Sequence, residues 1–181
     1  MNISLSTLKL KKNGIYTIPN FLNEDEIKLY NNLVLNPPND ATDFTNTGIF
    51  SNNKWYNNVV ADSFFNKLEK YIEKSDLAIK ANNVVMTGNY KEGEEFNLHT
   101  DTGLFYDKIN GKKSRWTLLI YLNDDFDGGD TTFYDNNWQI TDVIKPVKGT
   151  ALLFDIDLWH RGNKIFSGNK RWIGCEIIGL F

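Results

Sequence analysis

From residue 115 to residue 134 the chain reads Arg115-Trp-Thr-Leu-Leu-Ile-Tyr121-Leu-Asn123-Asp-Asp-Phe126-Asp-Gly128-Gly129-Asp-Thr131-Thr-Phe-Tyr134. Two runs rich in β-branched and aromatic residues, 116–122 and 131–134, flank an acidic turn with two adjacent glycines. Such a run–turn–run pattern predicts neighbouring strands. Working outward, similar runs recur at 84–90, 151–154 and 171–178. Turn signals separate them at Asn110-Gly111, Lys148-Gly149 and Ser167-Gly168-Asn169. Towards the N-terminus the period changes. A short strand at 15–18 stops at Pro19-Asn20, and Asn23 is placed to cap a helix whose first turn holds Glu24, Asp25 and Glu26. Ile27, Tyr30 and Val34 recur at helical spacing until Asn36-Pro37-Pro38. A second helix is expected over 62–74, with Phe64, Phe65, Leu68, Tyr71 and Ile72 on its apolar face. Residues 39–60 read as a long loop or a set of short strands. Helices first and strands after imply an α+β fold. Its expected form is a β-sandwich or jelly roll, a double-stranded β-helix core with the N-terminal helices packed on one sheet.

The composition sets outer limits. The chain has 181 residues, 41% of them apolar and 24% charged, which suits one well-buried core. One domain over 1–181 is expected, with helical support at about 20–75 and a jelly-roll core at about 83–181. A net charge of −3 supplies no basic excess for nucleic acid. The single cysteine, Cys175, can form neither an internal disulfide nor a thiolate zinc site. No stretch reaches the roughly 18 to 20 apolar residues of a membrane span, and the N-terminus lacks the apolar core of a signal peptide. A cytoplasmic protein, monomeric or weakly dimeric, is expected.

There are only two histidines. His99 stands in Asn97-Leu-His99-Thr-Asp101, and on a strand residues i and i+2 project to the same face. His160 follows the apolar run that begins at Ala151. Two imidazoles and one carboxylate can make the facial triad of a non-heme Fe(II) site, leaving about three coordination positions open. A lone His-x-Asp is common by chance, and two histidines can equally be surface or core residues. The surrounding sequence decides.

That surrounding sequence resembles the Fe(II)/2-oxoglutarate-dependent dioxygenases of the prolyl 4-hydroxylase type. The resemblance runs in order through Tyr90-Lys-Glu-Gly93 and His99-Thr-Asp101, then Arg115-Trp-Thr117-Leu-Leu-Ile-Tyr121-Leu-Asn123 and the Gly128-Gly129-Asp-Thr131 turn. It continues with Lys145-Pro146-Val-Lys-Gly149 and ends on His160 with Ile165, Gly168 and Lys170. It covers about half the chain, and Ile18-Pro-Asn-Phe21-Leu22 before an acidic helix start adds to it.

The resemblance implies that His99, Asp101 and His160 are the catalytic centre and bind Fe(II). It implies that 2-oxoglutarate chelates the metal and that O2 is the oxidant, with ascorbate supporting activity. Oxidative decarboxylation to succinate and carbon dioxide would then drive hydroxylation of a C–H bond. The distal carboxylate of the cosubstrate needs a buried cation, because an unpaired buried charge is expensive. Lys170 matches the family position. Arg171 could form the bidentate pair that lysine cannot, but neighbours on a strand face opposite ways, so one of the two should enter the pocket. Tyr90, Tyr121 and Thr131 match positions that line the cosubstrate pocket; as core aromatics and strand residues they have a purely structural alternative. Arg115 is a substrate contact or a structural pair, and Trp138 and Trp159 wall the site or fill the core.

The substrate lies in the loops, and 36–60 and 102–114 are long enough to act as lids. The pattern points to prolyl (4-)hydroxylation of a protein or peptide. Alternatives are another side chain, a free amino acid or a small molecule. Two readings outside the class are a jelly-roll binding module without catalysis and a zinc hydrolase. No nucleic-acid partner is expected.

Overall fold

The structure is a computed structural model that describes residues 8–43, 51–73, 78–101 and 103–180. After the strand β1 (Ile15–Ile18) comes helix α1 (Glu24–Leu35). The Asn23 side chain accepts from the Glu26 amide, and the Glu26 carboxylate accepts from the Asn23 amide. This reciprocal cap satisfies two otherwise orphaned donors and sets the helix start. Next come β2 (Thr42–Asp43), β3 (Ser51–Tyr56) and helix α2 (Asn58–Leu68). The second helix thus starts and ends earlier than the expected 62–74. Asn57 caps it, accepting from Val60 N, and tight turns from Lys70 N to Lys67 O and from Tyr71 N to Leu68 O close it. Ile72 then bridges Leu8 instead of continuing the helix.

The remainder is strand: β4 (Ala78–Lys91), β5 (Phe96–His99), β6 (Tyr106–Asp107), β7 (Lys112–Tyr121), β8 (Asp127–Gly128), β9 (Thr131–Tyr134), β10 (Ile140–Ile144), β11 (Ala151–Asp155), β12 (Trp159–Gly162), β13 (Ile165–Ser167) and β14 (Asn169–Leu180). They form the expected double-stranded β-helix. The major sheet has the order β1-β11-β7-β14-β4-β3-β2, with β6 paired to the start of β7. The minor sheet has the order β10-β9-β12-β5, and β8 pairs with β13. All pairings within the sheets are antiparallel.

Two layers cover the major sheet. On one face Ile27, Tyr30 and Val34 of α1 and Ala61, Phe64 and Leu68 of α2 share a buried core with Val85, Leu118, Ile173, Cys175 and Ile177. On the other face lies the minor sheet, where Phe133 joins Tyr121, Leu152 and Phe154. β14 is therefore buried on both faces almost throughout, which explains why its sequence reads as a near-continuous apolar run.

Two of the expected loops need correction. Ser51–Tyr56 is a strand of the major sheet, paired with β4 along its whole length, and so no lid. Residues 44–50 lie outside the described residues. Of the 102–114 segment, residue 102 also lies outside them, while Tyr106↔Lys113 and Asp107↔Lys112 pair as a short hairpin. The minor-sheet strands β5, β10 and β12 did not stand out in the sequence. They are short, and β10 is mostly exposed.

Candidate active site

His99 ends β5 and His160 lies in β12, and antiparallel pairing sets the two directly opposite each other. Their rings stand 4.2 Å apart. Asp101 follows β5, its amide donating to Ile156 O at 3.2 Å. Asp101 Oδ1 lies 3.4 Å from His99 Nε2 and 3.9 Å from His160 Nε2. One ligand atom from each of the three side chains falls within 4.8 Å of the others.

The far side of each ligand is held. His99 Nδ1 meets Asn97 O at 2.6 Å and His160 Nδ1 meets Leu158 O at 2.9 Å. A carbonyl only accepts, so each Nδ1 donates there, and each ring is turned with Nε2 toward the centre. The Thr117 hydroxyl donates to Asp101 Oδ2, while Oδ1 faces the two Nε2 atoms. Burial pushes the Asp101 carboxyl up, but the His99 hydrogen bond, the His160 charge and Thr117 outweigh it and hold it below the ordinary value. Burial pulls His160 below the ordinary imidazole range, against the attraction of Asp101. A carboxylate beside neutral imidazoles is the state that binds a divalent cation, and two nitrogens with one oxygen and no thiolate suit Fe(II).

The three ligands open onto a cavity of about 350 Å³ between the sheets. Lys170, only 2% exposed, lines it from β14. Its Nζ donates to Gly129 O at 2.6 Å and sits 5.4 Å from the Tyr121 ring centre. Burial pulls the ammonium down from its ordinary 10.5 to about 8, while the Asp130 carboxylate acts the other way. Gly129 is required here. Its φ is +70°, and a Cβ would come within 2.5 Å of Ile165 and 3.2 Å of the Lys170 stem. Arg171 faces the other way, as strand alternation demands: its Nε donates to Asn31 Oδ1 of α1 at 2.7 Å, and it is not among the residues lining the cavity.

Tyr90 and Thr131 line the same cavity. Tyr121 does not line it; its hydroxyl meets that of Thr131 at 2.9 Å, so it touches the cavity through Thr131. Burial pushes the Tyr90 phenol up to about 12 and raises that of Tyr121 as well, so both are protonated donors at neutral pH. Trp138 packs on Trp159 at 5.1 Å and is half exposed, and neither tryptophan lines the cavity. Arg115 donates to Leu180 O at 3.0 Å and stacks over Trp116, a structural pair.

Several residues of the site carried no sequence signal. Asn52 is 1% exposed, lines the cavity and donates from Nδ2 to the Tyr90 hydroxyl at 3.1 Å. It sits in the polar 39–60 stretch, where nothing marks one asparagine from the next. Thr117 stands in the motif strand that carries the resemblance, but nothing there gives it a role beside Asp101. Trp172 lines the cavity because Gly88 on the adjacent strand leaves it room, a Cβ there meeting the indole nitrogen at 2.1 Å.

Among curated proteins none matches this chain by sequence. Solved structures do match in fold. A viral collagen prolyl hydroxylase from Paramecium Bursaria Chlorella virus-1, in complex with 2-oxoglutarate, aligns with a TM-score of 0.65 at 20% identity, covering 92% of this chain and 96% of that one. A Pseudomonas putida prolyl-4-hydroxylase aligns with a TM-score of 0.65 at 12% identity, covering 93% and 94%. A Trichoplax adhaerens prolyl hydroxylase in complex with a hypoxia-inducible-factor peptide fragment aligns with a TM-score of 0.60 at 18% identity, covering 91% and 83%. The sequence model of the 2OG-Fe(II) oxygenase superfamily matches residues 85–175, half of the chain, which contains both histidines and every polar residue described above around the cavity save Asn52. With that match, the donor set and the fold in agreement, the chain belongs to the 2OG-Fe(II) oxygenase superfamily and is a dioxygenase.

Proposed function

We propose that this dioxygenase hydroxylates a C–H bond of a proline in a protein or peptide. The observation that carries the reading is one cavity holding both a complete His99, Asp101, His160 donor set and a buried, singly bonded Lys170 ammonium. When bound, Fe(II) with 2-oxoglutarate and O2 would supply the oxidising power, with ascorbate supporting activity.

The residues of the chain do the positioning. Nε2 of both histidines and Oδ1 of Asp101 would hold the metal. Lys170 has donors left after Gly129 O and takes the distal carboxylate of 2-oxoglutarate. The hydroxyls of Tyr90 and Thr131 donate to its oxygens, Tyr121 orienting Thr131. Leu119, Met86 and Phe154 keep the cavity walls apolar, so water is displaced as the ligand enters. Arg171 holds α1 through Asn31 instead of holding cosubstrate. Support for the prolyl substrate comes from the neighbours in fold and from the ordered motif run.

Among the described residues no helix is long and apolar enough to cross a membrane. The buried free thiol of Cys175 fits a reducing compartment, and we infer a cytoplasmic enzyme. The test is anaerobic titration with Fe(II) and 2-oxoglutarate. A visible metal-to-ligand charge-transfer band should form and be lost in His99→Ala. Mass spectrometry on proline-containing peptides should then show a gain of one oxygen coupled to succinate. A band and succinate without any oxidised peptide would refute the prolyl substrate and keep the oxygenase; no band at all would refute the oxygenase.

A further inference from the structure

We propose that Asn123 is a positioning residue for Lys170: its side-chain amide fixes where the ammonium stands in the cavity and so sets the length of the dicarboxylic 2-oxo acid that fits. This rests on the oxygenase reading above, in which Lys170 takes the distal carboxylate, and adds the residue that holds Lys170 in place.

Lys170 sits on a stretch of β14 that lacks a backbone neighbour on one side. Towards β4, Asn169, Lys170 and Arg171 stand opposite Lys91, Tyr90 and Asn89. Towards β7 the pairing begins only at Trp172, opposite Tyr121, where β7 ends. One more backbone bond follows, from Leu122 N to Arg171 O at 2.9 Å. Asn123 then continues the edge with its side chain. Its Oδ1 accepts from Arg171 N at 2.7 Å, and its Nδ2 donates to Asn169 O at 2.7 Å. The amide thus grips the two residues flanking Lys170 as a neighbouring strand would, and satisfies a backbone donor and a backbone acceptor there. The second Nδ2 hydrogen goes to Asp125 Oδ1 at 2.5 Å. Only one orientation of this amide serves all three partners, and the side chain is buried, at 5% exposure.

The same short excursion of the chain returns to Lys170 itself. The turn that begins at Asn123 packs on Gly168, where φ is +78° and a Cβ would lie 3.0 Å from both Asp125 O and Phe126 Cβ. It reaches Gly129, whose carbonyl accepts from Lys170 Nζ at 2.6 Å. Asn123 therefore keys the backbone on either side of Lys170 to the turn that carries the acceptor of its ammonium. Register matters here, because a slip of one residue would turn Arg171 inward and Lys170 outward. A smaller loosening shifts the ammonium without inverting the strand. The donor triad stands outside this network: Asn123 bonds neither His99, Asp101 and His160 nor their partners Asn97, Thr117 and Leu158. A dicarboxylic acid has to reach from that triad to Lys170, and a site rigid at both ends can tell one methylene apart by about tenfold or more.

The test is the anaerobic charge-transfer titration of the full chain with Fe(II), run with 2-oxoglutarate and with 2-oxoadipate, one methylene longer. The wild type should prefer 2-oxoglutarate by about tenfold or more. Asn123→Ala should weaken 2-oxoglutarate about tenfold and 2-oxoadipate less, so that the two acids come within about threefold of each other. Fe(II) affinity without either acid, read by competition with a chelator, should not change. Asn123→Asp keeps the acceptor for Arg171 N but sets an oxygen against Asn169 O and Asp125, and it should act in the same way. In a Lys170→Met background Asn123→Ala should add less than about twofold to the loss of 2-oxoglutarate. A wild type that does not distinguish the acids, an equal loss of both in the variants, weakened Fe(II), an additive loss in the Lys170→Met background, or failure of both variants to fold would each overturn the proposal. The failures are separable. A Lys170→Met protein that binds 2-oxoglutarate as the wild type does would refute Lys170 as the anchor, whereas loss in Lys170→Met with no change in Asn123→Ala would refute the positioning role alone.

Discussion

Replacing Lys170 with methionine should make the protein more stable and nearly abolish cosubstrate binding. In the ligand-free protein the ammonium is fully buried with one hydrogen-bond acceptor, Gly129 O. Its pKa falls from 10.5 to about 8. At 1.36 kcal/mol per pH unit, holding the charge costs the folded state about 3 kcal/mol. Methionine has similar length and leaves no charge, so a gain of about 1–3 kcal/mol is expected after the lost hydrogen bond is subtracted. The sign in pH follows. Between pH 8 and 10.5 the unfolded chain binds more protons than the folded one, so wild-type stability rises through that window. The variant should lack this rise. Binding moves the opposite way, because the carboxylate of 2-oxoglutarate would enter a pocket without its counter-ion. Breaking a buried pair on one side costs about 3–5 kcal/mol, or more than a hundredfold in Kd. In the wild type, affinity should fall about tenfold per pH unit above 8, where the anion must recruit a proton along with itself. Denaturant melts at pH 7 and 10 and the anaerobic band titration measure both halves. A less stable Lys170→Met protein, or one that binds 2-oxoglutarate as tightly as wild type, would refute the reasoning.

Four further outcomes are expected. Thr117→Val removes the donor to Asp101 Oδ2 and should weaken Fe(II) binding about 10–100-fold without abolishing it, as read by competition with a chelator. Asn52→Leu removes the amide that bonds the Tyr90 hydroxyl; it should weaken 2-oxoglutarate several-fold in a Tyr90 background and add little in Tyr90→Phe, which a double-mutant cycle on the band reports. Burial raises the Glu176 carboxyl above its ordinary 4.5, against the pull of Ser114 and Leu104. The stability of keeping it neutral is present below pH 4.5 and lost as pH rises through the raised value, so Glu176→Gln should gain on wild type in thermal melts at pH 7 relative to pH 4.5. Gly88→Val should destabilise by more than 2 kcal/mol in urea unfolding, since any Cβ collides with Trp172.

Much of this molecule was legible before its structure, for local reasons. The capping box at Asn23 and Glu26 and the proline stop fix α1 through contacts within a few residues. β1 and β9 lie where alternation and turn residues put them, because both signals are short-range. The candidate metal ligands were legible because a triad of this kind needs imidazole and carboxylate and the chain has only two histidines. The start of α2 was not: Asn57 competes with many other asparagines, and only the packing of Phe64 and Leu68 against the sheet selects it. Nor could the 39–60 stretch be read as holding a strand of the major sheet. Ser51–Tyr56 is polar, and what makes it a strand is the free edge of β4.

The cavity divides along the same line. Alternation says that Lys170 and Arg171 face opposite ways, and no local rule says which way is in. That choice is made by α1, which offers Asn31 to Arg171, and by the Gly128-Gly129 turn, which offers a carbonyl to Lys170. Residue chemistry and spacing, which are properties of the chain itself, pointed to the fold class and to His99, Asp101 and His160 as a candidate donor set, and the resemblance of its motifs pointed to the family. Only the tertiary structure decided that Asn52 touches Tyr90 across 38 residues, that Thr117 holds Asp101, and that Trp172 lies over Gly88. Each of these depends on which strands become neighbours, and strand pairing is a contest between distant segments that no window of sequence records.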